Sequence, residues 1–302
     1  MKAKVSGTKK KINGTTFLLM ITILLFVVMY AAGMIVFNDK GFAKPQMFLN
    51  LFISNAGLLV IAMGETIVMI TAGIDISVGS VTALVCMVAA NQMENHGASA
   101  YTALLMALVI GLLFGLVQGF LVSYLEIQPF IVSLAGMFFG RGMTSIISTD
   151  MISIKDKTFL AWANYKIYLL IGSYSRRGKF IPAYIYPTVI IAILIFIVVL
   201  DGLLAGCGGF LFCLNSCSGF VEQAKGLEMD AISASVIGGT LLSGGVGTPF
   251  GTVFGVLIKG TISSLITTQG TLSSWWVRIA LSALLCFFIV LQSIIGSMKK
   301  KN

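Results

Sequence analysis

Apolar residues run along this 302-residue chain in long blocks and not in alternation. The first block extends from Thr16 to Phe37. Others cover 49–72, 76–91, 101–125, 129–148, 183–200, 202–217, 229–243, 247–268 and 275–296. Alternating segments of about ten residues would mark the strands of a membrane barrel. Unbroken blocks mark helices, the other structure whose backbone satisfies itself in lipid. About 20 residues carry a helix across the hydrocarbon core. The blocks 76–91, 202–217 and 229–243 fall short of that, and two of them adjoin glycine-rich stretches. The pattern predicts an all-α, polytopic membrane helix bundle of eight to ten transmembrane helices, some broken or re-entrant, forming a single domain over 1–302.

Composition sharpens this. The chain is 57% hydrophobic and 10% charged, with a mean hydropathy of +0.99. Soluble domains carry about 25% charged residues, so lipid is the solvent that accommodates this surface. The net charge of +9 sits mainly at the termini and in one loop, with no basic stripe interleaved with aromatics. That excludes nucleic acid as a partner. The five cysteines lie in apolar stretches, and Cys207, Cys213 and Cys217 lack zinc-site spacing. They read as small packing residues, with no metal.

Residues 1–13 carry five lysines ahead of an apolar run longer than a signal-peptide core of about 7–15 residues. This predicts a first membrane helix with a Lys-rich cytoplasmic tail. Lys299, Lys300 and Lys301 put the other end on the same side, which requires an even number of crossings. The hydrophilic stretch 149–182 is then an external loop, against the positive-inside tendency, since it holds Lys155, Lys157, Lys166, Arg176, Arg177 and Lys179. Basic residues such as Lys155, Lys157, Arg176 and Arg177 are candidates for docking a partner protein.

Two stretches break the helical pattern at membrane depth: Thr71 to Ser80 and Ile237 to Thr248. At an offset of about 166 residues, Met63, Gly73, Ser77 and Gly79 align with Met229, Gly239, Ser243 and Gly245. Helices interrupted at matching points of two halves point to a transporter's binding site. The plain alternative is that these glycines only permit tight turns. Candidate translocation-path residues are Glu65, Asp75, Ser77, Gly79, Gly239, Ser243, Gly245 and Lys259. Glu65 and Lys259 lie deepest, and their partners are each other, the backbone or substrate hydroxyls. Glu126, Arg141 and Arg278 lie nearer span ends and read as interfacial. Glycines at spacing four (Gly111, Gly115, Gly119; Gly136, Gly140; Gly247, Gly251, Gly255) read as packing ridges. His96 is the only histidine, and no Walker A motif, metal-binding helix or nucleophile elbow occurs. The chain reads as a non-enzyme without a cofactor.

The stretch Ala62 to Thr66 with Gly73-Ile74-Asp75-Ile76-Ser77-Val78-Gly79-Ser80 resembles the "GIDLSVGS" signature of ribose-type ABC sugar permeases. Gln128 to Phe139 with Arg141-Gly142 is similar to their second landmark. Met229-Asp230-Ala231-Ile232 with Val236 to Thr248 is similar to the third. Gly270 to Trp276 resembles the galactofuranose-type branch. The resemblance implies a permease in the bacterial cytoplasmic membrane. Its partners would be a second permease, an ABC ATPase and a periplasmic or lipid-anchored sugar-binding protein. It also implies an internal deletion: relatives carry a cytoplasmic segment where Leu200 here runs straight into Asp201-Gly202. A secondary transporter or channel, or a degenerate uncoupled permease, are the alternatives.

Overall fold

A computed structural model describes residues 14–174, 180–195, 201–273 and 275–300. The elements in chain order are α1 (Gly14–Val36), α2 (Pro45–Ile70), α3 (Val78–His96), α4 (Ala100–Ser123) and α5 (Pro129–Ile147). There follow β1 (Ile152–Ser153), α6 (Lys157–Asn164), β2 (Ile167–Tyr174), β3 (Phe180–Ile185), α7 (Pro187–Ile195) and α8 (Asp201–Ser216). β4 (Ser218–Gly219), α9 (Leu227–Ile237), α10 (Pro249–Gln269) and α11 (Trp275–Lys300) complete the chain. Local chemistry sets many of the ends. Proline occupies the first turn of α2, α5 and α10, where its missing N–H costs nothing. Gly97 and Gly270 close α3 and α10 in the left-handed conformation, at φ 66° and 80°.

Six helices are long and apolar enough to cross a membrane: α1, α2, α4, α5, α10 and α11. The all-α membrane bundle stands, but the eight to ten full crossings do not follow from these helix lengths among the described residues. α8 and α9 are short, with 16 and 11 residues. α3 has 19 residues, but its last turns carry Asn91, Gln92, Glu94, Asn95 and His96. The expected block 183–200 is also divided. Its start belongs to β3, and α7 begins only at Pro187, because Tyr186-Pro187 ends strand pairing and opens a helix. Residues 196–200 and the tail 1–13 lie outside the described residues.

α2 is buried over most of its length, and α3 is sealed from Val78 to Met87. α1, α4 and α11 carry exposed leucine, valine and phenylalanine, including Leu24, Leu105, Leu116 and Phe287. Those helices form the lipid-facing wall around the α2–α3 centre. The glycine ridges pack as their spacing implies. A Cβ on Gly255 would collide with the Ala234 carbonyl, and one on Gly251 with the Gly238 carbonyl, so α10 rests directly on the α9 backbone. A Cβ on Gly140 would sit 2.8 Å from Ser80 Oγ, so α5 rests on the start of α3.

The stretch 149–182 is not a plain loop. β1 pairs antiparallel with β4, α6 is capped by Asp156 (Oδ1 accepts from Phe159 N at 2.7 Å), and β2 pairs with β3. The β-branched and aromatic run Ile167-Tyr168, with Tyr184-Ile185 opposite, favours strand pairing over a hydrophilic loop.

We expect Gly255→Val to destabilise the purified protein by about 1–3 kcal/mol through overpacking, read as a lower melting temperature in detergent. Gly142→Ala, where a Cβ meets nothing within 4 Å, should leave stability unchanged or slightly raised. Equal stability of both variants would refute the direct α9–α10 backbone contact.

Candidate functional site

The two glycine breaks meet. Gly245 N donates to Ile70 O at 2.8 Å across them. A Cβ on Gly244 would lie 2.7 Å from Ala72 Cβ. Ala72 (φ 62°) turns the chain sharply at the end of α2. α3 then starts not at the level of this turn but deeper. A Cβ on Gly136 would lie 3.3 Å from Ser77 Cβ, and Gly136 is seven residues beyond Pro129 on α5. At 1.5 Å per residue that is about 10 Å of depth, so residues 71–77 run non-helically into the bundle.

Non-helical backbone at such depth needs partners, and the side chains supply them. Glu65 Oε1 accepts from Asp75 N at 3.3 Å. Asp75 Oδ1 accepts from Ser77 N (2.8 Å) and from Ser77 Oγ (2.6 Å), placing a carboxylate at the α3 N-terminus. Gln118 Nε2 on α4 donates to Ser77 Oγ at 2.9 Å, and Ser133 Oγ on α5 donates to Ile74 O at 3.1 Å. All of these but Glu65, which is wholly buried, border a cleft of about 310 Å³ between the break, α4 and α5. Asp75, Ser77, Gln118, Ser133, Thr71 and Ser123 supply its polar atoms.

The second break is held the same way. Thr22 Oγ1 on α1 donates to Ile237 O at 2.6 Å, and Gln292 Nε2 on α11 donates to Val236 O and Thr240 O. Gly239 (φ 97°) is buried beneath Leu18, whereas Ser243 and Gly245 are exposed at the tip of the turn. The structure therefore gathers Glu65, Asp75 and Ser77 into one hydrogen-bonded group and places the second break against its rim. Ser243 does not join that group in any hydrogen bond described here.

Glu65 and Lys259 do not pair: Lys259 Nζ lies 3.3 Å from Asp230 Oδ2, while Glu65 is wholly buried beside Asp75. Gly79 does not face the cleft. A Cβ there would strike the carboxylate of Glu228, so glycine at this point lets Glu228 approach the first turn of α3. Arg141, read as interfacial, has two defined partners. Its Nη1 donates to Val221 O (2.7 Å) and Gln223 O (2.8 Å).

That Arg141 contact exposes a feature sequence reasoning missed. Gly219 abuts the Cys86 and Met87 backbone, and Ala224 O abuts Gly79, seven residues earlier on α3. The segment 217–226 thus descends about 10 Å along α3 without helix. Gln223 ties it internally, accepting from Phe220 N and donating to Ser216 Oγ. A signal was present: an arginine in a span requires a partner.

Lys155 and Lys157 are exposed. Glu94 at the end of α3 accepts from the backbone N–H of Lys155 (2.6 Å) and Asp156 (3.2 Å), fixing where the two lysines emerge. Arg176 and Arg177 lie outside the described residues. No cluster of three or more metal-ligating side chains occurs among the described residues.

A lipid-facing bundle with two interrupted helices joined at one end, and a polar cleft beside them, is the architecture of a membrane permease. The chain belongs to the family of permease components of branched-chain amino acid transport systems, whose model matches residues 47–200 and 187–290. The two matched stretches share 187–200. The chain is 38% identical over 303 aligned positions to the inner membrane ABC transporter permease protein YjfF of Escherichia coli, covering 91% of each chain. It is 26% identical to the fructose import permease protein FruG of Bifidobacterium longum, covering 96% of this chain and 95% of the relative. It is 29% identical to the autoinducer 2 import system permease protein LsrC of Yersinia pseudotuberculosis, covering 79% and 74%. No solved structure matches the chain at a significant level. The protein is a multi-pass permease of the bacterial inner membrane.

At Gly79 we expect Gly79→Leu to displace Glu228 and Ala224 and to abolish transport, with membrane insertion retained. Glu228→Ala should restore part of the transport lost in the milder Gly79→Ala. Rescue measured as uptake per inserted molecule checks this, and a Gly79→Ala phenotype indifferent to residue 228 would rule the contact out.

Proposed function

We propose that this chain is the membrane-spanning permease subunit of an ABC importer that moves a monosaccharide, with ATP hydrolysed by a separate subunit. The observation that carries this reading is the chemistry of the cleft. Its lining offers hydroxyls, an amide and one carboxylate, Asp75, with no lysine or arginine. A free amino acid brings a carboxylate, and the helix N-terminus here that would receive it already faces the carboxylate of Asp75. A neutral, hydroxyl-rich solute needs only hydrogen-bond partners, and about 310 Å³ lies at the small end of ligand pockets, which run about 300–1,000 Å³. The import roles named for FruG and LsrC agree with a small polyhydroxylated cargo. Resemblance in Gly238 to Thr248 and Gly270 to Trp276 supports galactofuranose or a related sugar.

In this reading Glu65, Asp75 and Ser77 shape the path, and Gly79 sets how α3 starts. Ser243 and Gly245 form the second wall, Gly239 supports it from beneath Leu18, and Lys259 lies on the face beyond it. A second permease, homologous or identical, completes the transporter. A periplasmic or lipid-anchored sugar-binding protein docks near Lys155 and Lys157, where charge raises the association rate. A reading of weak coupling to ATP is favoured by one observation: the family model meets 187–200 twice, and Asp201 begins α8 at once. That leaves little surface for an ATPase, whose stable interfaces bury about 1,200–2,000 Å².

Tracer uptake with the co-expressed ATPase and binding protein tests the function. Asp75→Asn keeps a side chain able to cap α3 but removes the charge. We expect it to insert normally and to lower sugar uptake at least tenfold. Uptake of leucine in place of any sugar would overturn the substrate class.

Coupling is tested separately, by ATPase stimulation with sugar-loaded binding protein. We expect little stimulation with a homodimer of this chain. A cytoplasmic segment grafted after Leu200 should restore it. Full stimulation by the unmodified homodimer would show that the short connection suffices.

A further inference from the structure

The ion pair between α9 and α10 sits where a lipid-facing charge is least tolerable. α10 has 21 residues, and Lys259 is the eleventh. At 1.5 Å per residue its Cα is about 15 Å from either end of the helix. Lys259 Nζ lies 3.3 Å from Asp230 Oδ2, and the two side chains remain 20% and 30% exposed in the single chain. A half-open ion pair at the middle of a membrane helix must face protein or water, because lipid offers its remaining donors and acceptors nothing.

The pair is one station on a polar line. Ser263 and Thr267 follow Lys259 at spacing four, on the same face of α10 toward its Gln269 end. Both are at least partly accessible, and Thr267 is exposed. In the other direction Thr252 lies seven residues before Lys259, again on that face. There the line closes. Thr66, Ser235 and Thr252 are wholly buried, with Thr66 Oγ1 2.6 Å from Thr252 Oγ1 and 3.0 Å from Ser235 Oγ. Ser235 Oγ is itself within 3.0 Å of Ala62 O and Ala231 O. The three hydroxyls satisfy one another and the backbone, leaving no gap.

We propose that this seam is a hydrated half-channel, open from the Gln269 end of α10 down to Asp230 and Lys259, and sealed below them by the Thr66–Ser235–Thr252 knot. It carries the neutral, hydroxyl-rich cargo. The mutual neutralisation of Asp230 and Lys259 gives the wall hydrogen-bonding groups without a net charge that would trap or repel a charged competitor. The knot is a gate of hydroxyls, which can exchange partners with a sugar at little cost because each protein bond lost is replaced by one of the same kind. The cargo assignment rests on the permease reading above; the hydration of the seam does not.

The test is thiol accessibility in membranes open to both faces, in a background with the five native cysteines replaced. The variants are Lys259→Cys with Asp230→Asn (so that no lone charge is left), Ser263→Cys, Thr267→Cys and Thr252→Cys. A water-soluble methanethiosulfonate is the reagent. We expect positions 259 and 263 to react within about tenfold of position 267, and position 252 to react at least a hundredfold more slowly. D-fructose or a methyl galactofuranoside should slow the reaction at 259 and 263. Reaction at 259 and 263 as slow as at 252 would overturn the half-channel. Reaction at both that no sugar slows, with sugar uptake intact, would overturn the cargo route. Fast reaction with sugar uptake absent throughout would instead remove the monosaccharide function and leave the hydrated seam standing.

Discussion

Every backbone group inside a bilayer must find its hydrogen bond within the protein, and the architecture follows from how this chain breaks its helices under that constraint. Helix α3 starts and helix α9 stops inside the bundle, and each interruption frees carbonyl and amide groups. The first set is met by Glu65, Ser133 and the Asp75–Ser77 pair, with Gln118 behind Ser77. The second is met by Thr22 and Gln292. These are polar side chains placed in otherwise apolar helices, where they would be costly without that duty. Asp75, Ser77, Gln118 and Ser133 are also left beside open space, since a broken helix cannot be packed as tightly as a whole one. Structural necessity and a polar cleft therefore arise together.

Close approach is the second requirement, and glycine provides it. The carbonyls of Ala234 and Gly238 occupy the space where Cβ atoms of Gly255 and Gly251 would stand. Without that contact α9, with 11 residues, would have too little surface to hold its position. Gly140 does the same for α5 against Ser80. Glycine is costly in an isolated helix, but in lipid the return is van der Waals contact between backbones. Gly79 follows a different logic. It admits a carboxylate, and Glu228 consequently faces the N-terminal turns of both α3 and its own helix.

Much of the bundle was legible from the sequence because lipid imposes long apolar runs and because Pro45, Pro129 and Pro249 announce helix starts. The two breaks were legible as matching glycine patterns. The partners were not. Glu65 and Lys259 are alike in depth, yet one caps a turn and the other pairs with Asp230, since depth along the chain says nothing about which helices adjoin. The segment 217–226 was hidden for another reason. Its Glu222, Gln223 and Lys225 have the composition of a surface loop, and only the Arg141 contact reveals that it runs down beside α3. The hairpin of β2 and β3 was concealed by lysines and arginines around it, which outweighed the pairing propensity of Ile167 to Tyr174.

Charge placement ties these strands together. The described residues put Arg141 on two carbonyls and Lys259 on Asp230, and put the Asp75 carboxylate on the first turn of α3. In each case the charge joins an interrupted element to an intact helix: Arg141 on α5 to the segment 217–226, Lys259 on α10 to the short α9, Asp75 in the break to α3. For the segments 71–77 and 217–226 these polar contacts set position, whereas α9 also packs Ile232, Val236 and Ile237 into the apolar core. A transporter needs parts that are fixed in either of two arrangements and mobile between them. Apolar helix packing gives the fixed frame of α1, α4 and α11 with the buried α2. The segments 71–77 and 217–226 are joined to that frame by polar contacts.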